Sequence, residues 1–368
     1  MSDPDLVVLS HLRWVFVWQR PQHIVSRLAR ERRTWFVEEP VATPGIPAPQ
    51  LRVEEHGRVR RVWLEVPSPA VRGFEDGLAA EYARQLGDLV GAPTDRVVWL
   101  YTPMALPIAR RLGPTTLVYD VMDDLSSFKS APSELALRHR QLLRDADVVF
   151  TGGRSLHQGV LDHRSSGVHL FPSGVEPEHY APATTMHRRG PRPVAGYVGV
   201  IDERLDLDLV EDLARSLPQW EIRMVGPVVK IDPATLPGAE NIVYTGPERY
   251  ERLPEVMAGF HVALMPFALN EATRSISPTK TLEYLAAGLP VVSTRVPDVV
   301  ANFEHVVDLQ DDGPGFADAC KRVKDHDAAA RARRAAPLLQ RQHWDTIAAR
   351  MAALVDSCKG AASAEETA

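Results

Sequence analysis

Two residues three positions apart, Lys280 and Glu283, carry chemistry that the rest of the chain has to explain. They stand in residues 275–294, SISPTKTLEYLAAGLPVVST, which read as turn, short helix, turn and buried strand. Ser277 can cap the helix by accepting a first-turn N–H. Pro278 suits the first helical position, where its missing N–H costs nothing. Leu282, Leu285 and Ala286 fall at the i, i+3, i+4 spacing of a buried stripe. Gly288 is the expected left-handed stop, and Pro290 forbids continuation. Val291 and Val292 then read as a strand buried on both faces. Lys280 is the odd residue, because the macrodipole favours anions, not cations, in the first helical turn. It is either a solvated lysine at mild cost or a group reaching over an anion, such as a phosphate, at the helix start. Glu283 adds a second polar group near the same face.

The elements that must position these residues alternate between strand and helix. Strands are predicted at 6–9, 34–37, 97–101, 116–119, 148–151 and 168–171, with one or two more in 51–66. Helices fall between them, ending near 30 and spanning 77–90, 107–112, 134–146 and 155–161. The loop after the first strand lacks the glycines of a dinucleotide fingerprint, which excludes that kind of site there. Residues 176–192 are polar and read as a linker. A second series follows, with strands near 194–200, 221–225, 241–245, 261–266, 291–293 and 306–309 and helices near 207–217, 250–258, 278–287 and 315–323. A long terminal helix is read over 327–357, broken or bent near Pro337. Alternation of this kind means parallel sheets covered by helices. The expected fold is α/β, with two Rossmann-like doubly wound domains facing a cleft and a C-terminal helical tail. The expected boundaries are 1–178, a linker at 179–192, 193–335, a helix at 336–358 packing back toward the first domain, and a frayed tail at 359–368. Ligands belong at the carboxyl ends of such strands and in such a cleft.

Bulk properties narrow the class. At 368 residues the chain exceeds what one core usually holds. Hydrophobic residues at 45% and charged ones at 24% are ordinary for a globular protein. A net charge of −6 excludes the basic footprint of a nucleic-acid binder. Basic clusters at Arg27, Arg30, Arg32 and Arg33, at Arg58, Arg60 and Arg61, and at Arg138, Arg140 and Arg144 are either solvated faces or contacts to anionic lipid headgroups. Cys320 and Cys358 form neither a disulfide framework nor a metal site, which fits a reducing cytoplasm. No signal peptide or apolar run of about 18 residues is present, so any membrane contact would be peripheral. The expected location is cytoplasmic, extending to the inner face of the membrane.

With its two domains, helical tail and the phrase PTKTLEYLAAGLPVVST, the chain resembles the GT-B glycosyltransferases, within them the retaining family 4 type. HLRWVFVWQRPQHI, YDVMDD, FPSGVEPEHY, GYVGVIDER and NIVYTGPERYERLPEVMAGFHVALMPF add to the resemblance, which covers nearly the whole chain. Together they resemble a bacterial subgroup linked with cell-surface polysaccharide assembly. The resemblance implies transfer of a sugar from a nucleoside-diphosphate sugar, UDP favoured and GDP as alternative. The acceptor is a hydroxyl of a glycan, a lipid-linked or a small-molecule acceptor, and configuration is retained. It implies a diphosphate at the helix start around Ser277, Pro278, Thr279 and Lys280, and ribose hydroxyls on Glu283. The base would lie against residues 246–250, including Gly246 and Tyr250, and the acceptor near residues 18–23 and 120–124. Two positions depart from the pattern. Ser275 stands where a sugar-contacting Glu is usual, with Glu271 nearby but out of register. After Gly199 the usual phosphate clamp is altered, and the basic residue is Arg204, which would share the work with Lys280.

Breaking a glycosyl–phosphate bond leaves negative charge on the diphosphate. Helix N–H groups, Lys280 and Arg204 aimed at that charge would supply preorganised electrostatic stabilisation. The sugar carbon would become oxocarbenium-like. No cofactor beyond the donor and no metal is required if these groups neutralise the phosphates. Asp120, Asp123 and Asp124 have three readings: a divalent-ion site, contacts to an acceptor hydroxyl, with Asp124 the catalytic candidate, or a strand-end turn. His23 is either a substrate contact or a structural hydrogen-bonder. Trp14 and Trp18 either stack on sugar or pack. Ser155 and His157 form no defensible triad. The alternatives to a transferase are another GT-B enzyme, such as a nucleotide-sugar epimerase, and a non-catalytic sugar-nucleotide-binding paralogue, which Ser275 suggests.

Overall fold

The computed structural model describes residues 5–91, 95–125, 132–186, 190–274, 276, 279–325 and 327–365, excepting the side chains of 272, 274 and 359–365. The chain forms two compact units, Met1–Pro172 with Asp345–Ala368, and Ser173–Trp344.

The first unit runs β1 (Asp5–Ser10), α1 (Arg20–Leu28), β2 (Thr34–Glu38), β3 (Val41–Ala42), β4 (Gln50–His56), β5 (Val59–Val66), α2 (Asp76–Val90), β6 (Arg96–Leu100), α3 (Leu106–Arg111), β7 (Thr116–Val121), α4 (Leu135–Asp145), β8 (Val148–Thr151), α5 (Arg154–Leu161) and β9 (Val168–Leu170). The strands order as β3–β5–β2–β1–β6–β7–β8–β9, with β4 paired to β5 alone. Among the described strands of this unit only the β4–β5 pair is antiparallel. The apolar run Leu6–Leu9 is fully buried and central, with Val8 opposite Phe36 on one side and Trp99 on the other. A strand covered on both faces needs this unbroken apolar sequence. β5 instead alternates, burying Val59, Val62, Leu64 and Val66, so residues 51–66 resolve as a hairpin.

The second unit runs α6 (Pro177–Tyr180), β10 (Val194–Val198), α7 (Leu207–Ser216), β11 (Glu221–Val225), β12 (Ile242–Gly246), α8 (Leu253–Met257), β13 (Val262–Met265), α9 (Glu271–Arg274), α10 (Thr279–Ala286), β14 (Val291–Ser293), α11 (Pro297–Phe303), β15 (Asp308–Leu309), α12 (Gly313–Val323) and α13 (Ala328–Arg341). Its six strands are all parallel, in the order β12–β11–β10–β13–β14–β15. That is the doubly wound order 3-2-1-4-5-6, which reverses between β10 and β13.

Two segments differ from their sequence reading. Residues 176–192 carry more structure than a polar linker. α6 and a 3-10 turn, Ala181–Thr184, bury Tyr180 and Ala183 in the second core. The terminal helix runs through Pro337 and is interrupted after Arg341, before α14 (Trp344–Glu365). Val175 causes the break: its N–H donates to the Gln342 carbonyl at 2.8 Å, and its carbonyl accepts from the Trp344 N–H at 3.2 Å. From Asp345 onward α14 belongs to the first unit, burying Ile347, Ala348, Met351 and Val355. Arg27 bridges to Asp345 at 2.5 Å and Arg32 to Asp356 at 2.7 Å. Arg33 pairs with Asp5, Arg61 with Glu38 and Glu54, and Arg138 with Asp76. Much of the basic clustering therefore works inside the unit. Among the described residues no helix is long and apolar enough to cross a membrane.

Candidate functional site

In a doubly wound sheet, ligands sit beyond the carboxyl ends of the strands where the order reverses. In the second unit that point lies between β10 and β13. The loops leaving these strands are tied together. Leu205 pairs with Phe267, the Asp206 N–H donates to the Pro266 carbonyl at 2.9 Å, and the Ala268 N–H donates to the Arg204 carbonyl at 2.9 Å. The Gly199 turn also presses on the loop after β11. A Cβ at Gly226 would lie 1.8 Å from the Gly199 carbonyl oxygen, so no larger residue fits there. The Gly226 N–H reaches the Gly246 carbonyl at 2.8 Å, which brings the ends of β10, β11 and β12 together through backbone alone.

α10 is anchored to both strands that flank the reversal. The Tyr284 hydroxyl accepts from the Val198 N–H on β10 at 2.8 Å and donates to the Val198 carbonyl at 3.3 Å. Thr281 donates to the Met265 sulfur on β13 at 3.2 Å. Gly288 stops the helix at φ +72°, as its type requires. Ser275, Ser277 and Pro278 lie outside the described residues; the described helix begins at Thr279, which is half-buried.

Lys280 Nζ lies 3.0 Å from Glu283 Oε2 and 3.4 Å from Oε1, with the side chains only 18% and 9% exposed. Lys280 is therefore no solvated surface lysine. Arg204 is held in the same manner by Asp202, with Nη2–Oδ2 at 2.8 Å and Nε within 3.0 and 3.1 Å of the two oxygens. Burial pushes the Tyr197 phenol well above its usual range. Arg204 pulls it back, while Asp202 and Glu283 add to the rise. Arg204 and Glu283 thus both act on one buried phenol.

Tyr250 is held by the residues around the start of α6. Its hydroxyl donates to Glu176 Oε2 at 2.6 Å, and its ring stacks on His179 with centroids 4.0 Å apart and planes 4° apart. Burial, then Glu176, then Glu283 raise the Tyr250 phenol. Tyr180 is fully buried beside them, and Glu283 and Tyr250 both push its phenol up. Sequence reasoning missed Glu176, His179 and Tyr180 because they sit in the stretch read as the approach to a linker. Pro177, a good first helical residue, was the available signal. A cavity of about 480 Å3 lies elsewhere in this unit, against β11, β12 and α8; Gly246 lines it, but Lys280 and Glu283 do not.

The first unit places its own candidates around β1 and α1. Glu38, fully buried, accepts from the Trp14 N–H at 2.7 Å, Arg13 at 3.1 Å and Arg61 at 2.8 Å. Gln22 donates to the carbonyls of Trp14 and Val17 at 3.2 and 3.0 Å, which shapes the loop before α1. His23 is buried and its Nδ1 accepts from Trp18 Nε1 at 3.3 Å, so its neutral ring carries the proton on Nε2. Trp14 packs on Phe36 at 4.9 Å in the core, while Trp18 is half-buried. Asp120 does not group with its neighbours as a ligand set. It is fully buried and takes three hydrogen bonds from Arg20 at 3.0–3.2 Å, while Arg20 also reaches the Phe171 carbonyl at 2.7 Å. A buried pair this well satisfied is architectural. Asp124 is exposed and acts instead on Tyr119 and His139, which share a 2.8 Å hydrogen bond; burial lowers His139 and Asp124 partly restores it. Among the described residues no group of three or more His, Cys, Asp and Glu is arranged to hold a metal ion.

Residues 192–326 match the family model described as glycosyl transferases group 1. A putative teichuronic acid biosynthesis glycosyltransferase from Bacillus subtilis (strain 168) is 27% identical over 233 residues. That match covers 56% of this chain and 58% of the relative, little more than half of either. The sucrose-phosphate synthase of Thermosynechococcus elongatus superposes on 98% of this chain and 100% of its own, with a TM-score of 0.70 at 16% identity. An alpha,alpha-trehalose-phosphate synthase (UDP-forming) from Burkholderia vietnamiensis covers 96% of this chain and 99% of its own, with a TM-score of 0.67 at 17% identity. At such identity the structural likeness is one of fold. With two doubly wound units and a group 1 match across the second, the chain has the two-domain GT-B fold.

Proposed function

We propose that the protein transfers a sugar, with retention, from a nucleoside-diphosphate sugar to a hydroxyl of a glycan, lipid-linked or small-molecule acceptor. UDP is the favoured carrier and GDP the alternative. The observation that carries this reading is α10, fixed by Tyr284 and Thr281 to both strands at the reversal and bearing Lys280 and Glu283 on its first turns. In this reading Lys280, the helix N–H groups around Thr279, and Arg204 face the diphosphate. Gly199 lets the phosphates approach the backbone. Glu283 takes the ribose hydroxyls, and the base lies by Gly246 and Tyr250. His23 and Asp124 of the first unit are assigned to the acceptor. These cations and N–H donors meet the charge that develops on the leaving diphosphate, so the reading needs no metal. The similarity to a UDP-forming synthase supports UDP, and the similarity to a protein named for teichuronic acid biosynthesis supports a polysaccharide acceptor.

A thermal-shift screen against UDP, GDP, ADP and TDP and their sugars tests the reading. A ligand at a hundredfold its Kd stabilises the folded state by about 2.7 kcal/mol, a shift of a few degrees. One nucleoside diphosphate should stand out. No shift with any of them would remove the donor assignment.

A further inference from the structure

The loop leaving β1 holds a run of large apolar residues, Trp14, Val15, Phe16, Val17 and Trp18. Trp14 is buried against Phe36, and Val17 and Trp18 are half-buried. Val15 and Phe16 are 55% and 51% exposed. Of the large apolar side chains exposed among the described residues, these two are the pair adjacent in sequence. Single exposed apolar side chains are ordinary. An adjacent pair at the tip of a fixed turn calls for an apolar partner.

Buried groups fix the turn. The Phe16 N–H closes it on the Arg13 carbonyl at 3.3 Å. Gln22, fully buried, donates from Nε2 to the carbonyls of Arg13, Trp14 and Val17 at 3.3, 3.2 and 3.0 Å. The Trp14 N–H donates to the Glu38 carboxylate at 2.7 Å, and Arg13 turns to Glu38 and the Pro40 carbonyl. So held, the tip loses little freedom on meeting a ligand. The side chains of Val15, Phe16 and Val17 offer no hydrogen bond to a sugar hydroxyl. Two side chains at half exposure present on the order of 200 Å2, against about 800 Å2 per partner in a stable protein interface. A lipid layer needs only a tip that can enter it. Trp18, whose indole N–H reaches His23 Nδ1 at 3.3 Å, is of the type that gathers where apolar and aqueous layers meet.

We propose that Val15 and Phe16 select a lipid-linked acceptor: the tip enters the apolar layer that carries the acceptor's lipid, and the same loop meets its sugar end. This rests on the acceptor assignment of His23 made above and chooses among the acceptors left open there. The tip follows the carboxyl end of β1, the end of the sheet at which ligands sit. From the tip the chain runs through Trp18 directly to His23 on α1.

The test compares the full chain with its Val15→Ser, Phe16→Ser double variant in two ways. The first is sedimentation with vesicles of phosphatidylcholine, pure or mixed with an equal share of phosphatidylglycerol. The wild type should bind both, and the variant about tenfold more weakly, as expected for apolar surface lost from the contact. Added salt should leave binding to the pure vesicles as it was, because no charge carries it. The second is transfer from the donor that wild type accepts to dodecyl and methyl glycosides of the same sugars. The wild type should show a KM about tenfold lower for the dodecyl form, and the variant should bring the ratio to about threefold or less. A wild type that ignores pure phosphatidylcholine, or a variant that binds it equally, would overturn the proposal. So would equal losses on both glycosides, which would make Phe16 a sugar contact, or a wild-type dimer that the variant dissolves. Transfer to neither glycoside would count against the acceptor assignment itself, while vesicle binding still decides whether the tip meets lipid.

Discussion

Lys280 Nζ lies 3.0 Å from Glu283 Oε2, so the two polar side chains near the start of α10 are paired with each other. Arg204 and Asp202 repeat the arrangement at 2.8 Å on the neighbouring loop. Each cation assigned to the donor phosphates is therefore matched by a carboxylate of its own unit. Anion binding here is an exchange of partners, and its strength depends on how firmly each carboxylate holds its cation.

The two α10 residues should separate by ligand. Lys280→Ala is expected to weaken inorganic diphosphate and nucleoside diphosphate alike. Glu283→Ala should weaken the nucleoside diphosphate alone and, by freeing Lys280, leave inorganic diphosphate equal or tighter. Parallel titrations of both ligands check this.

Asp202→Asn keeps an oxygen for the Arg204 N–H, which Asp202 accepts at 3.0 Å, but removes the charge facing the guanidinium. Inorganic diphosphate should then bind about threefold to tenfold tighter at low salt, with the gain shrinking as salt screens it. Arg204→Ala should move affinity the other way.

Gly226→Ala sets a Cβ against the Gly199 carbonyl at 1.8 Å, and backbone cannot yield as a side chain does. A loss of about 3 kcal/mol in denaturant unfolding is expected. Displacement of the loop carrying Arg204 should also weaken diphosphate binding.

Much of this architecture is written locally in the sequence. Gly288 predicts its own left-handed turn, and the apolar runs of β1, β10 and β14 predict buried parallel strands because a two-faced burial leaves no room for alternation. Partnerships between distant residues are not written that way. Asp120 reads as one of three strand-end carboxylates until the fold brings Arg20, a hundred residues earlier, onto it. The same holds for Glu38, which collects Arg13 and Arg61. Polar composition concealed α6, since Glu176, His179 and Tyr180 form a partly buried cluster only once Tyr250 and α10 are packed beside them. Pro337 suggested a break that falls instead at residues 342–343, where Val175 draws the backbone out of the helix.

Glu39 gives the first unit a pH signature. Burial raises its carboxyl from 4.5 to about 7, with Arg13 opposing. The unfolded chain releases this proton near its ordinary value and the folded one near 7, so the folded state holds more protons in between. Stability should therefore fall as pH rises through that window. The effect is about 2 kcal/mol, below the full value of the shift because Glu39 is only half-buried. Melting temperatures between pH 5 and 8 should show the slope, and Glu39→Gln should flatten it.

The most direct measurement is release of nucleoside diphosphate from UDP-, GDP-, ADP- and TDP-sugars, with and without glycan acceptors, by wild type and Lys280→Ala. The expected result is release from one class of donor by wild type, accelerated by an acceptor, and slowed by about 10²–10³-fold in Lys280→Ala. Release from none of the donors, or equal release by both proteins, would contradict transfer at the start of α10.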